Sequence, residues 1–215
     1  MHGKVLKEKA LQQLHGRWGN AIAFYVVLYS FIFLSAVLTD LVSYYKLDIW
    51  VYSALIAVFF LSSSMATLRY VSKNEPFKIR NVFKGFNYFL KAFMAYTWQT
   101  IWVFIWALLF VVPGIIKYVA YSQMFFIIAD NPEIGVRKAM KTSIKMMDGY
   151  KWDYFTLLIS FTGWFILSIL TFGIGFLWLV PYCNITFGHL YIDLKAQSLE
   201  SGVCSLDDFS YNPEA

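Results

Sequence analysis

The chain has 215 residues, of which 59% are hydrophobic and only 14% are charged. A soluble domain usually carries about 25% charged residues, and a small globule lacks the interior to bury this much apolar surface. The composition therefore excludes an ordinary soluble domain and predicts a chain surrounded by lipid. The formal net charge is +5, but the basic residues flank apolar runs. That placement favours anionic lipid headgroups, and not nucleic acid, as their partners.

Neither cysteine usage nor the N-terminus indicates a secreted protein. Cys183 falls in an apolar run and Cys204 in a polar segment, a pattern typical of free thiols. The first apolar run begins near Ala21 behind a polar leader, and no small-residue cleavage site follows it. We therefore expect no cleavable signal peptide.

Apolar runs of about 20 residues, the length that crosses a membrane, recur along the chain. The four clear runs are 21–38, 49–68, 93–112 and 154–172. Two more runs are marginal, since 115–129 is short and contains Lys117, and 176–194 contains three polar or helix-breaking residues. Each marginal run is either a full span or a re-entrant segment.

The distribution of lysine and arginine favours counting both marginal runs, because cytoplasmic loops are enriched in basic residues. With six spans and both termini inside, all of the 18 basic residues except Lys46 and Lys117 lie on the cytoplasmic side. Merging the third and fourth runs would place the basic cluster at 137–151 outside. The pattern predicts an all-α polytopic membrane protein of about six transmembrane helices.

Short outer connections pair these spans into three helical hairpins. The dipeptide Pro113-Gly114 is typical of a helix stop and a tight reversal, and an uncharged Gly-Ile-Gly turn stands at 173–175. We expect one membrane domain over 1–195, with hairpin units of roughly 1–75, 76–131 and 132–195. A polar, disordered cytoplasmic tail is expected over 196–215.

The cytoplasmic connections carry amphipathic patterns typical of helices that lie in the membrane interface. The leader has a weak pattern of this kind. The strongest pattern has its apolar positions at Ile79, Val82, Phe83, Phe86 and Leu90, between basic residues. In the last connection, Asp130, Asn131 and Pro132 predict a helix start. These inner helices either contact lipid or pack on the cytoplasmic face of the protein itself.

Three glycines stand at matching places between an inner helix and the span that follows it. They are Gly16, Gly85 and Gly149. A glycine at such a junction ends the surface helix and lets the chain turn into the bilayer. The pattern indicates an internal repeat of three units, and both a true triplication and a chance similarity remain open.

The sequence shows no catalytic constellation and no cofactor-binding motif. Its cysteines and three histidines lack the spacing of metal ligands, so no catalytic, cofactor or metal residue is predicted. Asp130 and Asp193 end two spans on the inner side. We interpret them as a helix cap and an interface anchor, in preference to an acid–base pair.

Four polar side chains within the spans form a candidate intramembrane polar core, because such groups in lipid usually face a partner or a cavity. They are Gln99, Gln123, Asn184 and His189. Counting helical rise puts Gln123 and Asn184 roughly 12 Å below the outer ends of their spans, and the other two roughly 20 Å down. This predicts two layers, each joined by a direct or water-bridged hydrogen bond. Pro181 would kink the sixth span and free a carbonyl for the same network.

The second half of the chain contains an ordered series of short motifs. They are Val112-Pro113-Gly114-Ile115-Ile116, Tyr121-Ser122-Gln123-Met124, Ala129-Asp130-Asn131-Pro132, Lys145-Met146-Met147-Asp148-Gly149-Tyr150-Lys151, Gly173-Ile174-Gly175-Phe176-Leu177-Trp178 and Tyr191-Ile192-Asp193-Leu194. In this order they resemble the bacterial membrane family catalogued as domain of unknown function 975. The resemblance implies a multi-pass protein of the bacterial cytoplasmic membrane and brings no established activity.

Two functions from different classes follow. The leading one is a non-enzymatic accessory, envelope or self-protection protein that acts through contacts with lipids or with a membrane protein, including a second copy of itself. The alternative is a small transporter or channel with a polar path through the third, fourth and sixth spans. A continuous polar cavity would favour transport, whereas a packed interior with an exposed apolar groove would favour binding.

Overall fold

The computed structural model describes residues 3–42 and 48–210, and the side chains of these residues except 38–51 and 109. Within these ranges the chain is helical and contains no strand. The α-helices are α1 (Gly3–Leu14), α2 (Trp18–Val42), α3 (Asp48–Lys73), α4 (Phe89–Leu109), α5 (Val111–Tyr121), α6 (Met124–Asp130), α7 (Val136–Met146), α8 (Lys151–Leu170) and α9 (Phe176–Glu200). Two 3₁₀ helices, Ile79–Tyr88 and Leu206–Phe209, complete the described elements.

Four helical stretches in the described residues are long and apolar enough to cross a membrane. They are Trp18–Val37, Tyr52–Lys73, Val111–Asp130 and Lys151–Leu170. The prediction of a helical membrane protein is thereby confirmed. Helices α4 and α9 have 21 and 25 residues but are not among these four stretches, so the count of six spans stays a prediction.

Helix α3 occupies the centre of the bundle. Its apolar stretch is 72% buried, against 28% for that of α2 and 22% for that of α8. It contacts α2, α4, α6, α9 and the first 3₁₀ helix. Four small hydroxyl residues of α3 are buried at these contacts: Ser62, Ser63, Ser64 and Thr67. Small side chains let neighbouring helices approach closely without lipid between them.

Helices α1 and α9 pack on this centre. In α1, Leu6, Ala10 and Leu14 are spaced by four residues and are all buried, so the leader helix packs on the protein itself. Helix α9 runs on as one helix through Pro181. At Gly188 it lies so close to α3 that an added Cβ would be 2.8 Å from Cγ2 of Thr67.

The strongest amphipathic pattern folds as the 3₁₀ helix Ile79–Tyr88. Val82 is buried, while Ile79 and Phe83 are 52% and 44% exposed. Gly85 donates its backbone N–H to Oγ of Ser62 at 2.9 Å. One face of this segment thus packs on α3, as one alternative predicted, and an apolar face stays outward; contact of that face with lipid stays a prediction.

The three junction glycines do not share one role. Gly16 and Gly149 have φ of +74° and +80°, the left-handed conformation that ends a helix. Gly85 instead lies within its 3₁₀ helix, where a Cβ would overlap the carbonyl oxygen of Val58. The prediction that Gly85 is a turning residue is wrong: it is a close-approach glycine.

The reversal between α4 and α5 takes place before the Pro-Gly dipeptide. Phe110 is extended, with φ −157° and ψ 138°, and α5 begins at Val111. Pro113 lies in the first turn of α5, where a missing N–H costs nothing. Gly114 packs against Ala107, whose Cα would be 2.8 Å from an added Cβ. The predicted helix stop at Pro113-Gly114 is therefore wrong in position.

The predicted helix start at Asp130, Asn131 and Pro132 is also displaced. Helix α6 ends at Asp130, and α7 begins only at Val136. Between them, Oδ1 of Asn131 accepts the backbone N–H of Glu133 at 3.1 Å, because an Asn side chain stabilises a turn as readily as it caps a helix.

The tail differs from the expected disordered segment over its described residues. Helix α9 continues to Glu200, and residues 201–210, called the C-terminal clasp below, pack on α7 and on the turn that follows α6. Nζ of Lys145 lies 2.9 Å from Oδ1 of Asp208. Nδ2 of Asn131 donates to the carbonyl of Phe209 at 2.9 Å. The order comes from these contacts, which local composition does not reveal; residues 211–215 lie outside the described range.

Candidate functional site

Gln123 is fully buried, as predicted, but it lies at a break in its span. Helix α5 ends at Tyr121 and α6 begins at Met124. The backbone N–H of Gln123 donates to Oγ of Ser143 at 3.3 Å, and its Nε2 donates to Oγ of Ser122 at 3.0 Å. Its Oε1 has no hydrogen-bond partner among the described residues.

Asn184 takes a partner other than the one predicted. Its Oδ1 accepts from Oγ of Ser63 at 3.3 Å, and its Nδ2 donates to the carbonyl of Val180 at 2.9 Å. No direct hydrogen bond joins it to Gln123 in the described part of the chain. Asn184 meets Ser63 on α3 instead, and a water-bridged Gln123–Asn184 layer stays a prediction.

The predicted lower layer also has different partners. A nitrogen of His189, Nε2, lies 2.9 Å from Oε1 of Gln13 in the leader helix. Oε1 of Gln99 is buried and unpartnered among the described residues. His189 therefore pairs with α1 and not with Gln99 on α4.

Gln13 fastens three helices together, and sequence reasoning missed it. Its Nε2 donates to the carbonyl of Tyr70 at 2.7 Å, and the hydroxyl of Tyr70 donates to the carbonyl of Gln13 at 2.6 Å. With the His189 contact, this ties α1 to both α3 and α9. A glutamine beside the buried Leu14 of an amphipathic leader is the only sequence signal, and such a signal does not name its partner.

A line of hydroxyl groups extends this polar layer between α2, α3 and α9. The hydroxyl of Tyr25 lies 2.8 Å from Oγ1 of Thr67, and Oγ of Ser63 donates to the Tyr25 oxygen at 3.4 Å. Ser63 also reaches Asn184. The layer thus involves the first, second and sixth apolar runs, and not the third and fourth. Close packing of Gly188 on Thr67 leaves no room for a solute there.

A polar cavity of about 480 Å³ opens beside this layer, at the end of α1. Its lining residues are Lys9, Gln12, Gln13, His15, Arg17, Asn74 and His189. Lys9 is paired with Asp193 at 3.0 Å, and Nη1 of Arg17 donates to Oδ1 of Asn74 at 2.5 Å. The two strongest cations of this cavity are therefore already partnered.

An apolar groove of about 450 Å³ runs along α8 and α9 and reaches the start of α2. Three tryptophans contribute to its walls, Trp18, Trp164 and Trp178. The rest of the lining is Leu11, Leu167, Ser168, Thr171, Gly175, Leu179 and Tyr182. We call this surface the tryptophan groove; its walls suit a hydrocarbon chain.

Asp130 and Asp193 are structural anchors. Asp193 pairs with Lys9. Asp130 accepts hydrogen bonds from the Tyr191 hydroxyl at 3.0 Å and from the ammonium of Lys195. Each carboxylate thus has its own cation. Within 3–42 and 48–210, no group of three His, Cys, Asp or Glu side chains could hold a metal ion.

The apolar helices and their packing define a helical membrane protein. The chain belongs to the family described as "Protein of unknown function (DUF975)", whose model matches residues 1–120 and 111–198. The resemblance predicted from the sequence motifs is thereby confirmed. Comparisons with curated proteins and with solved structures gave no match.

Proposed function

We propose that this protein is a non-enzymatic accessory or self-protection protein that acts by holding membrane lipid against its body. The observation that carries the proposal is the tryptophan groove, an apolar surface groove of about 450 Å³ beside a closely packed interior. A groove of this kind on membrane-spanning helices exposes about the volume that small-molecule sites offer. Because hydrocarbon surrounds the helices, an acyl chain is the occupant it meets.

The proposed setting is a bacterial cytoplasmic membrane, crossed six times, with both termini inside. The basic residues support it, since those at 69–91 and 137–151 then share the cytoplasmic side. The 21 residues of α4 and 25 of α9 are long enough for the two remaining crossings.

Photoactivatable phospholipids test the groove. Leu167 lines it and is 50% exposed, whereas Ile169 on the same helix is 57% exposed and lies outside the lining. We expect L167Q to lower crosslinking of the 164–182 peptides about five-fold, because a bound acyl chain would cover the amide and leave its hydrogen-bonding groups without partners. The matched control I169Q should leave it unchanged. Equal crosslinking in wild type and L167Q would contradict the proposal.

Transport is the second candidate, supported by the hydroxyl line from Tyr25 to Asn184. The test is ion or solute flux in proteoliposomes of wild type against S63A, which interrupts that line. Flux that S63A abolishes would favour transport over lipid holding. We expect no flux from either protein, because Gly188 and Thr67 close the interior.

A further inference from the structure

A second polar cavity, of about 350 Å³, lies where the inner end of α3 meets the first 3₁₀ helix and the end of α6. Three cations contribute to its walls, Arg69, Lys73 and Lys84. The remaining lining residues are Met65, Leu68, Ser72, Asn87, Tyr88, Ala129, Asp130 and Pro132. We call it the cationic cavity.

The three cations of this cavity have no ion pair among the described residues, unlike Lys9 in the neighbouring cavity. Asp130 on the far wall is already engaged by Lys195. The side-chain donors of Asn87 and Tyr88 likewise make no hydrogen bond to the described residues. The cavity therefore offers uncompensated positive charge and free donors, the combination that binds an anion with several oxygens.

Crowding of like charges supports the same conclusion. Burial, and then the nearby guanidinium groups of Arg69 and Arg80, lower the pKa of Lys84, and the carboxylate of Glu75 opposes them. An anionic neighbour would oppose these cations and raise the pKa of Lys84 again.

The depth of the cavity points to lipid as the source of that anion. Phe83 and Phe86, on either side of Lys84 in the sequence, are 44% and 39% exposed, and an exposed apolar face beside basic residues is typical of a helix in the membrane interface. Lys84 consequently lies at the headgroup level, where phosphate groups are the abundant anions. The volume of the cationic cavity accommodates a glycerophosphate headgroup.

We propose that Arg69, Lys73 and Lys84 bind the phosphate of an anionic membrane lipid, one lipid per chain. The site is separate from the tryptophan groove. The two proposals can fail independently. Lipid in the tryptophan groove is measured by crosslinks at 164–182, whereas phosphate binding in the cationic cavity is measured by headgroup selectivity.

Native mass spectrometry of the full chain from mild detergent tests this site. Mixed micelles supply phosphatidylglycerol or phosphatidylcholine, and a third sample contains inorganic phosphate alone. We expect one phosphatidylglycerol per wild-type chain and preference over phosphatidylcholine. The R69Q/K84Q pair should weaken retention about 30-fold, the product of two contacts near a membrane surface. The R69K/K84R pair should keep it, which separates charge from misfolding.

The matched control is K138Q/K141Q on α7, which removes the same charge away from the cavity. Its retention should stay within about two-fold of wild type. The site would be overturned if R69Q/K84Q and K138Q/K141Q lost phosphatidylglycerol equally. It would also be overturned if the wild-type chain retained phosphatidylglycerol and phosphatidylcholine alike. Stabilisation by inorganic phosphate without retained lipid would overturn the lipid source.

Discussion

Ser143 on α7 accepts the backbone N–H of Gln123 at 3.3 Å, at the point where α5 gives way to α6. The same hydroxyl donates to the carbonyl of Ala120 at 2.7 Å. One inner-face side chain therefore satisfies two backbone groups left free by a broken helix. Lipid offers no replacement for them, so the break depends on this serine.

Replacing Ser143 with alanine should lower the free energy of unfolding by about 1–3 kcal/mol, because two buried backbone groups lose their partner. Thermal unfolding in detergent measures the change. The control is S72A, whose hydroxyl bonds only the carbonyl of Leu68 on its own helix and should alter stability by less than half as much. Equal effects of the two substitutions would refute the role of Ser143.

Two helical glycines should respond in opposite directions to the same substitution. At Gly188, a Cβ would lie 2.8 Å from Thr67 Cγ2 and 3.1 Å from Val71 Cγ2, whereas nothing lies within 4 Å at Gly163. G188A should destabilise the protein by about 1–3 kcal/mol through overpacking. G163A should stabilise it by up to about 1 kcal/mol, because alanine is the better helix former. A stabilised G188A would contradict the close packing of α9 on α3.

The sequence was sufficient for the helical class and for most span positions. Length and hydropathy determine these, since the bilayer demands about 20 apolar residues whatever the neighbours are. The sequence did not indicate the partners of the polar residues. Depth counting assumes unbroken helices, but the fourth run breaks at Gln123. Helix rotation decides that Asn184 meets Ser63, and periodicity along one helix does not specify the neighbour.

The C-terminal clasp should depend on a single carboxylate. Asp208 accepts the backbone N–H of Ser205 at 2.9 Å and pairs with Lys145 at 2.9 Å. Cys204 beneath it is only 3% exposed. D208N should raise the labelling rate of Cys204 by a soluble maleimide several-fold, because the clasp then opens more often. Asp207 carries no such contacts in the described residues, so D207N should leave the rate unchanged.

The clasp should also respond to pH. The Ser205 N–H, and then Lys145, hold the pKa of Asp208 below its ordinary value of 3.8. The hydrogen bond to Asp208 raises the pKa of Lys145 above 10.5. The carboxylate's contribution is complete above its ordinary pKa and is lost as pH falls through the lowered one. The ammonium's contribution is complete below its ordinary pKa and is lost as pH rises through the raised one.

Hydrogen exchange of residues 201–210 should therefore show protection that is constant between these two ordinary pKa values. It should fall only at acid and at strongly alkaline pH. In D208N the loss of protection at acid pH should disappear. Loss of protection near neutral pH would contradict the assignment.

The outward face of the first 3₁₀ helix should anchor it in the interface. Ile79, Phe83 and Phe86 are 52%, 44% and 39% exposed, and apolar burial in the headgroup region holds such faces. Replacing all three with aspartate should make residues 74–90 accessible to protease in membranes. The control replaces Lys73, Lys78 and Arg80 with glutamine, which leaves the apolar face intact. Unchanged protection in the aspartate variant would rule out lipid anchoring.

The sequence also did not show which glycines serve close packing between elements. Gly85 and Gly114 looked like turn residues, yet both serve close approach, against Val58 and Ala107. Proximity between elements is set by the whole bundle, so a glycine's neighbours in sequence do not distinguish a turn from a contact. The order of the clasp was missed for the same reason, because Lys145 is far from Asp208 in the chain.

The proposed six-span topology places the basic connections on the cytoplasmic side, and cysteine labelling in intact cells tests that most directly. In a C183S/C204S background, single cysteines replace Lys46, Lys84 and Lys141, of which Lys46 lies outside the described residues. An impermeant maleimide should label position 46 in intact cells, and positions 84 and 141 only after lysis. Labelling of position 141 from outside would contradict six spans with both termini inside.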